Sequence, residues 1–201
     1  MASTLHDDGW YLFDYGMVIS AAPAAEDWDR LHEASGLRLD AADSTYWAHR
    51  HAFDDGSLDS AGYWGAVLDR ELRAGEAERL DRLDAALWSR PNQATIAVLE
   101  TLRTRGSRLA LLSNMPVRMS EIFEAEADWT ASFEQLFFSG RLLLGKPDRR
   151  IYEHALEQLR AEPADVVFID DKAENIDAAR QLGMRTVHHV PGVDLAAELG
   201  L

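Results

Sequence analysis

A chain of 201 residues with 47% apolar content can bury a core, either as one large domain or as one domain carrying a sizeable insertion. Its formal charge of -15 argues against nucleic acid and membrane-surface partners, no stretch approaches the ~18 consecutive apolar residues of a membrane span, and MASTLHDDGW lacks the basic and apolar regions of a signal peptide. With no cysteine there is neither a disulfide framework nor a thiolate metal site, and the expectation is a cytoplasmic monomer or homodimer acting on a small molecule.

In chain order, WYLF at Trp10–Phe13 predicts a first buried strand. No convincing strand follows over 24–89; helices are predicted at 24–34, 41–53, 60–72 and 76–88, punctuated by Gly36, Asp54-Asp55-Gly56 and Gly75. The block is too long for a single crossover, so residues 21–89 are expected to form a helical cap inserted into a core made of 1–20 and 90–201. Beyond it, strands predicted at 108–112, 136–138, 166–169 and 186–190 alternate with helices at 92–105, 148–160 and 173–182. Pro91 and Pro147 stand at helix starts, and Gly106 and Gly183 just past helix ends. The pattern predicts an α/β fold, a doubly wound parallel sheet covered on both faces, with the α-helical cap as an insertion.

Polar residues follow the apolar strands at once: Asp14 after the first, Ser113 and Asn114 after the second, Asp170 and Asp171 after the fourth. In open parallel sheets ligands sit at the carboxyl ends of the strands, so these groups should converge on one crevice, joined by Lys146 before Pro147. Three clustered carboxylates repel unless a cation sits among them, and all-oxygen ligation favours a hard ion such as Mg2+. A carboxylate there can attack phosphorus and give an aspartyl phosphate. Ser113, the loop amides near Asn114 and the Lys146 ammonium would neutralise the phosphoryl oxygens. The basic residues are nearly all arginine, and the only lysines, Lys146 and Lys172, lie beside these loops, where a compact ammonium charge is of use.

On these residues the chain resembles the haloacid dehalogenase superfamily, specifically members with a helical cap after the first strand. Asp14 in FDYGMV, Ser113 in LLSN, Lys146 in LGKPD and Asp170-Asp171 in VVFIDDKAENIDAA match in order, over about Trp10 to Val190. The resemblance implies that Asp14 is nucleophile and metal ligand, that Gly16 ligates through its carbonyl, that Asp171 completes the set with Asp170 beside it, and that Asn175 steadies the loop. It implies a hydrolase for small phosphate monoesters, sugar phosphates among them. One position departs from the pattern: phosphatases of the family usually carry a second aspartate two residues after the nucleophile, where this chain has Gly16. Loss of that general acid would cost about 10²- to 10⁴-fold for a poor leaving group. Esters whose leaving group needs little help are therefore expected: anomeric sugar, acyl or aryl phosphates, or else a proton borrowed from the cap.

In the cap, Tyr46, Arg50 and Phe53 should share one helix face, and Trp47, His51 and Asp54 another. Such aromatics ordinarily form the inside of a helical bundle. Trp47, Arg50 and His51 are the candidates for contact with substrate, whereas Trp64 and Trp88 are expected in the cap core and His188-His189 in packing or at the surface. Two rivals come with the resemblance. A dehalogenase disfavours metal and lacks the paired aspartates that Asp170-Asp171 supplies, and a binding protein that has lost turnover would not need Asp14, Lys146 and Asp171 together.

Overall fold

Short apolar runs build the five strands of a computed structural model that describes residues 9–201: β1 (Trp10–Phe13), β2 (Arg108–Ser113), β3 (Gln135–Phe138), β4 (Val166–Asp170) and β5 (Arg185–His188). They pair in parallel throughout, in the order β3-β2-β1-β4-β5. Side chains alternate across a strand, so a sheet covered on both sides needs apolar residues at every position. Leu12, Leu112 and Phe168 accordingly pack on one face, under α8 (Arg149–Leu159) and α9 (Ala173–Gln181). Phe13, Leu111 and Ile169 pack on the other, under α5 (Gln93–Thr104), α6 (Val117–Glu126) and α10 (Leu195–Leu199). The doubly wound parallel sheet expected from the strand and helix alternation is the observed architecture.

Between β1 and β2 lie α1 (Ala25–Ser35), α2 (Thr45–Asp54), α3 (Ser60–Leu68) and α4 (Glu76–Leu87), which bury their own aromatic cluster of Trp28, Tyr46, Tyr63 and Trp64. α4 leans on α6, and the end of α2 meets α7 (Ser139–Leu142). There the Ser139 hydroxyl donates to the carbonyl of Asp54. Gly56 has φ +79°, and a methyl group on it would lie 2.5 Å from the Gly140 carbonyl oxygen, so only glycine fits that backbone-to-backbone seam.

Several bounds differ from the sequence reading. α3 stops at Leu68 rather than 72 because Asp69 turns left-handed at φ 50°. α7 and α10, with four and five residues, are too short to show a helical period, and α6 was not anticipated at all. Among the described residues no helix is long and apolar enough to cross a membrane.

Candidate active site

The strand order reverses direction at β1, which lies between β2 and β4, and in such sheets the crevice opens beyond the carboxyl ends at that point. Asp14 follows the last residue of β1 and continues its ladder, its N–H donating to the Ile169 carbonyl at 2.8 Å. Asp170, the last residue of β4, therefore lies alongside it. Lys146 reaches between them from the loop before α8, its Nζ 2.8 Å from Asp14 Oδ1 and 2.7 Å from Asp170 Oδ2. Asp14 Oδ1 also accepts the Tyr15 N–H at 2.7 Å. One oxygen of Asp14 is thus anchored while Oδ2 is left for the crevice.

Asp170 is wholly buried and fully engaged: Oδ1 accepts from the Lys172 N–H at 2.8 Å and from Asn175 Nδ2 at 2.9 Å, and Oδ2 accepts from Asn175 Nδ2 at 3.0 Å besides Lys146. Asp171 and Ser113 both line the crevice. The side-chain amide of Asn114 grips the backbone of Lys146 at both groups, accepting from its N–H and donating to its carbonyl, each at 2.8 Å. That side chain thus orients the lysine loop and leaves only its main chain for an anion. Gly16 lines the same crevice, with nothing within 4 Å of where a Cβ would stand.

Burial holds the Asp14 carboxyl above the ordinary carboxylate range, with Lys146 pulling the other way and Asp170 adding to the rise. Burial also raises Asp171, and its neighbour Asp170 adds to this. For Lys146 burial disfavours the ammonium, but Asp14 and Asp170 outweigh it and hold the lysine charged. Carboxylate oxygens of Asp14, Asp170 and Asp171 lie within 4.8 Å of one another, a hard, all-oxygen donor set. Beside them, Asn175 Oδ1 is a buried acceptor with no hydrogen-bond partner, as expected where a hydrated cation belongs. Three clustered acids, with Lys146 between two of them, Lys172 beside the third and an acceptor left over, fit Mg2+.

The helical insertion forms the far wall of the crevice, a cavity of about 550 Å³. Trp47, Arg50 and His51 all line it. Arg50 is buried and holds two acids, Asp54 through Nε at 2.7 Å and Asp84 through Nη1 at 2.9 Å, with the Tyr46 hydroxyl bonded to both Arg50 and Asp84. Burial pushes Asp54 up to about 6 against the pull of Arg50. His51, with a side chain 76% exposed, stands at the mouth. Six lining residues were not foreseen as such, Tyr15 and Met17 after β1 being two of them. Trp88 packs against the core of the insertion, as expected, and also lines the crevice, and Met115 and Met119 precede or belong to the unanticipated α6. Asp54 is the last; its place on the Trp47 and His51 face of the predicted helix was the signal available.

Known proteins are similar to this chain to different extents. A haloacid dehalogenase family enzyme of Bacteroides thetaiotaomicron superimposes with a TM-score of 0.75 at 17% identity, covering 97% of this chain and 98% of that one. The same enzyme has been solved in complex with magnesium and inorganic phosphate. A sesquiterpene phosphatase of Aspergillus oryzae is 31% identical over 111 residues, 55% of this chain and 56% of that protein, so the chain spans little more than half of that relative. A phosphatase of Mycobacterium tuberculosis is 26% identical over 170 residues, 79% of this chain and 78% of its own length. The family model for haloacid dehalogenase-like hydrolases matches residues 16–183, and the chain belongs to that family.

Proposed function

We propose that the protein hydrolyses small-molecule phosphate monoesters through an aspartyl phosphate on Asp14, with Mg2+ as cofactor. The observation that carries this is the pose of Asp14, which lines the crevice and is fixed by Lys146 and the Tyr15 N–H through Oδ1 alone. In the first step Asp14 Oδ2 forms a bond to phosphorus as the ester P–O bond breaks, and the leaving oxygen departs with the electron pair and takes a proton from solvent. In the second, water attacks the same phosphorus and frees inorganic phosphate and the carboxylate. Lys146, the Ser113 hydroxyl and the main-chain amides of the Asn114 loop face the charge on the phosphoryl oxygens. Asp14 and Asp171, with the Gly16 carbonyl, would hold Mg2+, with Asp170 beside them fixing Lys146 and adding negative charge, and the ion would supply charge neutralisation for the transferring group.

The phosphatase relatives support the reaction class. In this reading residues 21–89 act as a cap over a core of 1–20 and 90–201, and the protein works in the cytoplasm as a monomer or homodimer. The test is release of phosphate from acetyl phosphate with and without Mg2+. Turnover that needs the ion and falls about 10³-fold or more in Asp14→Asn is expected. An unchanged rate in Asp14→Asn would overturn the mechanism.

A further inference from the structure

We propose that the ester bound at Asp14 carries a flat aromatic alcohol, so that the natural substrate class is an aryl phosphate rather than a sugar phosphate. This rests on the phosphatase reading and narrows it. The first ground is the polar inventory of the cavity wall. A sugar presents a hydroxyl on nearly every carbon and needs a matching set of free donors and acceptors, since each polar group buried without a partner costs free energy. On the insertion side of the cavity, several of those groups are already engaged. The Trp88 indole N–H donates to the Tyr46 hydroxyl at 2.9 Å, and the Tyr15 hydroxyl donates to the Trp88 carbonyl at 2.8 Å. Arg50 is held by Asp54 and Asp84, and the Asn114 amide by the Lys146 backbone. What remains on the insertion side is a short polar rim: Arg50 Nη2, which meets the Met119 sulfur at 3.9 Å, the second oxygen of Asp54, the indole N–H of Trp47 and the exposed ring of His51 at the mouth.

The second ground is the apolar surface. Trp47 and Trp88 meet at an interplanar angle of 85° with ring centroids 6.2 Å apart, forming a corner of two indoles. Met17, Met115 and Met119 complete the wall. Methionine sulfur and indole both favour contact with an aromatic ring, and methionine adapts to the shape of what it meets. The volume of about 550 Å³ is that of a small-molecule chamber rather than of a phosphate site alone.

The third ground is Gly16, which offers no acid to the departing oxygen. A phenol ionises near pKa ~10, as tyrosine does, well below the ~15.7 of water, so its oxygen leaves as an anion unaided. Wall and leaving-group chemistry thus select the same alcohol. The balance is that of the reaction above: the P–O(aryl) bond breaks as Asp14 Oδ2 bonds to phosphorus, the phenolate carries off the electron pair, and solvent protonates it.

The experiment measures kcat and KM, with Mg2+ present, for 2-naphthyl phosphate, phenyl phosphate, glucose 1-phosphate and acetyl phosphate. The second ring should raise kcat/KM by roughly tenfold over phenyl phosphate, through KM, because the leaving groups are alike in acidity and differ in buried area. Glucose 1-phosphate should be the poorest of the four. Trp47→Ala should bring the naphthyl-to-phenyl ratio close to unity, and Trp47→Phe should restore most of it, which a general loss of folding would not produce. Equal kcat/KM for the two aryl esters, or a preference for glucose 1-phosphate, would overturn the aryl assignment while Asp14-dependent turnover of acetyl phosphate left the phosphatase reading standing. No Asp14-dependent release from any of the four would remove both.

Discussion

Two buried clusters face each other across the crevice, and both place one cation between two acids. At the strand tips Lys146 joins Asp14 to Asp170, and in the helical insertion Arg50 joins Asp54 to Asp84. The difference lies in how the remaining charge is handled. Arg50 presents a planar fork, and the Tyr46 hydroxyl and Trp88 indole complete the network, so the second acid is met by hydrogen bonds. Lysine is a point charge with few bonds to give, a third acid, Asp171, stands close by, and Asn175 Oδ1 is left without a donor. One cluster balances its charge internally and leaves only Arg50 Nη2 and one Asp54 oxygen to the cavity; the other is incomplete in a way that a divalent ion would complete.

The comparison can be broken most forcefully at the Arg50 cluster. Arg50→Met leaves Asp84 and Asp54 buried without their cation, and a loss of about 3–5 kcal/mol in stability is expected from denaturant titration. A loss below about 1 kcal/mol would show that the acids are protonated or solvated instead. Lys146→Met should act differently, lowering kcat by about 10²- to 10³-fold through lost stabilisation of the phosphoryl oxygens, measured on protein shown to be folded. An equal fall in stability with little fall in kcat would make the two clusters alike.

The smallest effect concerns pH. The carboxyls of Asp14 and Asp171 are raised above their ordinary value of 3.8 by burial. A raised carboxyl contributes stability that is fully present below the unfolded value and is lost as pH rises through the folded one. The ion-free protein therefore loses stability from these groups as pH rises, and Mg2+, which binds the ionised forms, should restore it. The thermal shift on adding Mg2+ should be larger at pH 8 than at pH 5.5, by a few degrees at an ion concentration roughly 100-fold above Kd. Asp54, with its window between 3.8 and about 6, should keep its pH dependence whether or not Mg2+ is present. A shift that is flat with pH would mean that the tip carboxylates do not bind the ion.

The strand-tip cluster was legible in the sequence because each of its residues follows an apolar strand, and a parallel sheet brings such positions together whatever the loops do. Asp14, Ser113, Lys146, Asp171 and Asn175 all line one crevice, and Asp170 is buried just behind it, bonded to Lys146 and Asn175. The insertion cluster was not legible. Arg50 and Asp84 are 34 residues apart on α2 and α4, and no local period reports a pairing between helices of a bundle. Trp88 read as core because a tryptophan at a helix end gives no sign of which side of a wall it faces, and Met115 and Met119 were hidden with α6, where buried Ser120 dilutes the apolar contrast.

The Gly56 to Gly140 seam has a practical consequence. The main chains approach there too closely for a side chain at Gly56, and the Ser139 hydroxyl bonds the Asp54 carbonyl beside them, so the spacing between the nucleophile and the opposite wall is held without help from the residues that line the chamber. Trp47 and His51, nearby on α2, can then be exchanged without altering that spacing. The chamber can be re-lined for a different alcohol while the distance over which phosphorus must be delivered stays fixed, which makes this protein a scaffold for redesign in which reactivity and selectivity are varied separately.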